Sequence, residues 1–157
     1  MKREDVLVPT TDPLATLNPS IIGRAEKVHS AFLKPLLAGS MLDERQWITL
    51  QLAVGAGDRI EESELVSRVA GVAQYDERGV EAAIAALRKA SLIEVHAGDG
   101  DQLGVTPEGL ALVTTLRRKT AELVGPAYAS IPPEDLATAA RVLSAITAKL
   151  SEELANS

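Results

Sequence analysis

Between Asp76 and Gly109 the chain changes its periodicity twice, and this restricts the fold more than any other feature of the sequence. From Asp76, the expected N-cap, to about Ala90, the apolar residues Val80, Ile84 and Leu87 recur at helical spacing. Leu92–Ala97 then reads as a strand and Gln102–Val105 as its return. Gly98-Asp99-Gly100-Asp101 between them has the residues of a tight hairpin turn. Thr106-Pro107-Glu108-Gly109 opens another helix, with Thr106 as N-cap, proline at the first position and Glu108 favourably placed on the dipole. Upstream, Ser63–Arg68 reads as a very short helix before Gly71.

Both ends of the chain are helical. Residues 1–18, with Pro9, Pro13 and Thr10-Thr11-Asp12, read as a flexible N-terminal arm. Asn18 caps a helix that starts at Pro19 and carries Ile21, Ala25, Val28, Phe32 and Leu36 on one stripe. Pro35 is expected to kink or end it. Asp43 caps the next helix, which carries Trp47, Leu50 and Val54 and is stopped by Gly55 and Gly57. The helix after Thr106 is expected to end near Gly125-Pro126. A last helix starts at Pro132-Pro133, and its Leu136, Leu143 and Leu150 stand seven apart. Such a stripe suits burial against a second chain, as in a short coiled coil, or against the preceding helix.

Composition narrows the function classes. A length of 157 residues fits one domain. The absence of cysteine removes disulfides, thiolate metal sites and thiol chemistry. His29 and His96 are the only imidazoles and lie far apart in sequence, so no metal site or cofactor is expected. Having only four aromatic residues, Phe32, Trp47, Tyr75 and Tyr128, argues against a stacking platform for single strands. No apolar run approaches a membrane span and the first residues form no signal peptide, so a cytoplasmic protein is expected. Phosphate-cradling glycine loops and nucleophile elbows are missing, so no enzyme is expected.

Short helix, turn, longer helix and two-stranded hairpin describe a winged helix-turn-helix. With Leu42-Asp43-Glu44-Arg45-Gln46-Trp47, Glu64-Leu65-Val66, the run Val80–Ile93 and Val105-Thr106-Pro107-Glu108-Gly109, the sequence resembles the MarR family of bacterial transcriptional regulators over about residues 19–156. The resemblance implies a mainly α fold with a winged helix-turn-helix lobe (about 43–106) and a small β-hairpin wing. It also implies dimerisation helices at both ends (about 19–38 and 107–156). In function it implies a homodimer that reads pseudo-palindromic double-stranded DNA, as a repressor released by a small-molecule effector. The dimer interface then includes Ile21, Val28, Phe32, Leu136, Leu143 and Leu150. In the family the region of His29, Phe32 and Trp47 can line the ligand cavity; a structural histidine and a core tryptophan are the other readings.

If Val80, Ile84 and Leu87 point inward, then at about 100° per residue the opposite line of that helix is Arg78, Ala82, Ala85 and Lys89. Arg78 can take a guanine or a phosphate, the alanines allow close approach, and Lys89 can meet backbone phosphate. Arg68 on the preceding helix is a further backbone contact. Charge argues the other way. From Ile60 to Gly104 four basic residues face nine acidic ones, a net of −5 out of −6 for the whole chain. Phosphate neutralisation drives affinity. Members of the family usually carry a wing arginine, whereas the tip here has Asp99 and Asp101 and no arginine. An alternative is therefore a MarR-like fold that has lost DNA binding and serves as a dimeric protein-interaction or ligand-binding module.

Overall fold

The computed structural model of the chain describes residues 16–96, 98, 100 and 102–157. The expectations for the N-terminal arm up to residue 15, and for Ala97, Asp99 and Asp101 at the wing tip, lie outside the described residues. The chain divides into two compact units, one ending at Ala31 and one running Phe32–Ser157. Helix α1 (Pro19–Ser40) supplies the described regular structure of the first unit and enters the second. Asn18 caps it, Oδ1 accepting from Ile21 N at 3.1 Å.

The second unit holds α2 (Glu44–Gly55), β1 (Ile60–Glu61), α3 (Glu62–Ala73), α4 (Glu77–Lys89), β2 (Ile93–Val95), β3 (Gln102–Val105), α5 (Pro107–Ala129) and α6 (Pro133–Ala155). This is a mainly α winged helix-turn-helix. Local chemistry sets most of the boundaries. Asp43 and Gln46 form a reciprocal capping box on α2, with Gln46 N donating to Asp43 Oδ1 at 2.8 Å and Asp43 N to Gln46 Oε1 at 3.1 Å. Asp76 accepts from Gly79 N at the start of α4. Thr106 Oγ1 accepts from Gly109 N at 3.0 Å and donates to Ser91 O at 2.7 Å, so one buried hydroxyl caps α5 and ties it to the turn after α4.

Two helix ends and the sheet differ from expectation, and Pro35 does not end its helix. Pro35 lies inside α1, because Leu33, Leu36 and Leu37 pack on the core and offset the proline's cost of about 3 kcal/mol. Pro126 also lies inside α5, which continues one turn to Ala129. Helix α3 is twelve residues long, passes through Gly71 and ends where Gln74 turns left-handed at φ 56°. A glycine within a helix costs only about 1 kcal/mol, less than the burial of Leu65, Val66 and Val69 returns. The hairpin belongs to a three-stranded antiparallel sheet of order β1-β3-β2, with Ile60 opposite Leu103 and Ile93 opposite Val105.

The core of this unit joins Trp47 and Leu50 of α2, Leu65 and Val69 of α3, Val80, Ile84 and Leu87 of α4, Ile93 and Leu103 of the sheet, and Val113 and Leu116 of α5. Gly109 marks a close approach of backbone to backbone. A Cβ there would run into the carbonyl oxygen of Leu92 and lie 2.8 Å from Val105 Cγ1. Because backbone cannot give way cheaply, Gly109→Ala is expected to destabilise the lobe by about 1–3 kcal/mol, measured as a lower urea midpoint. An unchanged midpoint would show that α5 sits farther from the wing. Helix α6 has no buried residue. No described helix is long and apolar enough to cross a membrane.

Candidate nucleic-acid interface

Helix α4 has two faces. Val80, Ala83, Ile84 and Leu87 are buried, while Arg78, Ala82, Ala85 and Lys89 are all exposed. The outward line expected from helical periodicity is therefore present. Its last turn also carries Arg88, and a groove of about 600 Å³ runs between α4 and β2, lined in part by Ala85, Arg88, Lys89, Ser91 and Glu94. Arg68 is exposed on α3, but its guanidinium is paired with Glu64 one turn earlier on the same helix. That pair neutralises the charge Arg68 would bring to a phosphate, although exposed pairs of this kind hold only weakly.

The start of α4 is held by a residue whose placement could not be read from sequence. Arg45 on α2 stacks on the Tyr75 ring at 4.7 Å from its centroid, and its guanidinium lies where a Cβ on Gly79 would stand. The Arg45 Nε is buried without a hydrogen-bond partner among the described residues. Burial pushes the Tyr75 hydroxyl above its ordinary pKa; Glu44 and Asp43 add to this and Arg45 opposes it. Arg45 thus packs α2 against the α3–α4 turn and the first turn of α4.

Next to this face the lobe is acidic. A cavity of about 320 Å³ between α3 and α4 is lined by Glu62, Ser63, Val66, Ser67, Glu77 and Glu81. Glu77 and Glu81 flank Arg78 on its own helix.

The residues expected at the dimer and ligand surfaces take several environments. In the first unit Ile21 is half-buried, Val28 is 59% exposed, and His29 is exposed with Nδ1 2.6 Å from Ala25 O. Of the two forms of a structural histidine, buried or interfacial, the first is not seen for His29 within this chain. In the second unit Phe32 is 43% exposed, whereas Trp47 is only 4% exposed and belongs to the core. Leu136 is half-buried, and Leu143 and Leu150 are exposed on α6.

The fold recurs in solved structures. NadR in complex with 4-hydroxyphenylacetate superposes with a TM-score of 0.68 at 19% identity, over 88% of this chain and 97% of that one. A MarR-family transcriptional regulator from Silicibacter pomeroyi matches with a TM-score of 0.68 at 17% identity, over 83% of this chain and 88% of its own. The chain has the MarR fold. CouR from Rhodococcus jostii RHA1, bound to p-coumaroyl-CoA, shares that fold with a TM-score of 0.68 at 17% identity, over 81% and 89% of the two chains. No family model and no curated protein matches the sequence. In this version of the MarR fold the outward face of α4 is basic at both ends, and the groove beside its first turn is acidic.

Proposed function

We propose that the chain is a non-catalytic, sequence-specific DNA-binding regulator of MarR type, acting as a homodimeric repressor that a small-molecule effector releases. The observation that carries this reading is the exposed line Arg78, Ala82, Ala85 and Lys89 on a helix whose other face is locked in the core. A helix of this shape fits a major groove. Arg78 is placed for a base edge or phosphate near the helix start, and Lys89 and Arg88 for phosphates at its end. Two such helices at half-site spacing require a dimer, and α6, a 23-residue helix with no buried residue, offers the surface for one. The solved neighbours include a complex with 4-hydroxyphenylacetate and one with p-coumaroyl-CoA. That supports an effector here too, with the chain regions of His29 and Phe32 as contacts. Trp47 would act through the packing of α2, since its ring is buried.

A second reading has its own observation. The groove holding Glu62, Glu77 and Glu81 repels phosphate and suits a basic segment of another protein. One experiment separates the two. Genomic fragments captured by the purified protein are expected to share a pseudo-palindromic motif that persists from low to near-physiological salt. Capture that vanishes as salt rises would leave only counterion-driven attraction and favour the interaction module.

A further inference from the structure

The base of the wing holds a second cavity of about 500 Å³, apart from the α4 face, to which α2, the approach to β1, the wing and α5 all contribute. Its walls have two characters. Val54, Val105 and Leu110 form an aliphatic side, and Leu110 remains 52% exposed although it sits in the first turns of α5. Arg59 and His96 form a polar side, with Asp58 beside them. The imidazole is held in place. His96 N donates to Gln102 O at 2.9 Å, and the ring lies over Gly104, where a Cβ would run into His96 Nε2 and stand 3.1 Å from the Asp58 carbonyl oxygen. The glycine in β3 therefore makes room for the ring at the mouth of the cavity. Arg59 already interacts within the fold, and the five donors of a guanidinium leave capacity for a ligand.

We infer that this cavity binds a small monocarboxylate with an aliphatic or alicyclic body. The volume lies in the range of small-molecule sites, which pair apolar walls with a few placed polar groups. The body would lie on Val54, Val105 and Leu110, and the carboxylate would meet Arg59 and His96. Asp58 offsets the Arg59 charge, so the cavity suits one anionic group better than two. Among the described residues the lining has no Phe, Tyr or Trp, and its one ring, the His96 imidazole, is taken up with the carboxylate, which favours an aliphatic occupant over one that needs stacking. An occupant would brace the wing against the first turn of α5, since its walls come from both.

The test uses the full chain without DNA, so its result is independent of the DNA-binding reading. Cyclohexanecarboxylate is titrated into labelled protein and followed by amide chemical shifts, with cyclohexanecarboxamide and acetate as comparisons. Saturable shifts are expected at residues 54–59, 96, 104–105 and 110. The amide should bind about tenfold or more weakly, because it loses the charged contacts, and acetate weakly as well, because it lacks the body. Arg59→Gln should weaken the acid but not the amide, and Leu110→Ser, at a half-exposed position, should weaken both. Equal binding of acid and amide, equal binding of acetate, or shifts confined to other surfaces would overturn the inference.

Discussion

Arg78→Glu is expected to abolish specific DNA binding while leaving the fold and the oligomeric state intact. Arg78 is exposed in the first turn of α4, on the side away from Val80, Ile84 and Leu87, so its replacement leaves no cavity. A good bidentate base contact is worth about 1–3 kcal/mol. A dimer makes the contact twice, and reversal adds a carboxylate to a lobe that already holds Glu77 and Glu81 on the same helix. Two lost contacts alone amount to about 2–6 kcal/mol, a loss of roughly thirtyfold to ten-thousandfold in affinity, since each 1.4 kcal/mol is tenfold. Fluorescence anisotropy on the captured motif measures it, with Glu64→Gln as a companion. That second change releases Arg68 from its ion pair and should strengthen binding slightly and without sequence preference. If Arg78→Glu binds as tightly as the parent, α4 does not read DNA through this line and the basic end at Arg88 and Lys89 must be considered alone.

The α4 face could be read from sequence because helical periodicity is a two-sided statement. Once three apolar residues fix the inward direction, the outward residues follow by rotation, and the N-caps Asp43, Asp76 and Thr106 place the helices in register. What could not be read depends on contacts between segments. Strand β1 has two residues, too few for any period, and exists because Ile60 finds Leu103 across the sheet. The Arg45–Tyr75–Gly79 packing joins α2 to a turn thirty residues away. The wing-base cavity gathers Val54, Arg59, His96 and Leu110 from four separate stretches of the chain, none of which carries a motif. Breakers misled for a related reason. Gly71 and Pro35 weaken a helix locally, but Val69 on one helix and Leu37 on the other are buried by the rest of the lobe, and that burial outweighs them.

The pair Leu143→Arg and Leu150→Arg should convert the protein to a monomer. Helix α6 runs 23 residues with no buried residue, so its apolar side chains find no adequate cover within this chain. Leu143 is 39% and Leu150 59% exposed. Fully burying a leucine is worth about 1.5–3 kcal/mol, so closing the remaining exposure gains roughly 1 kcal/mol at each position. In a twofold dimer that sum counts four side chains, about 4 kcal/mol, and the arginines add several kcal/mol each if forced into an apolar seam. The total should weaken dimerisation by at least about ten-thousandfold, which sedimentation at micromolar protein would resolve. Helix content should fall as well, because most helical stability in proteins comes from packing an apolar face rather than from propensity. DNA affinity should fall with it, since a single lobe reaches one half-site. A variant that still sediments as a dimer would move the interface away from Leu143 and Leu150, and a monomeric parent would remove the homodimer from the proposal altogether.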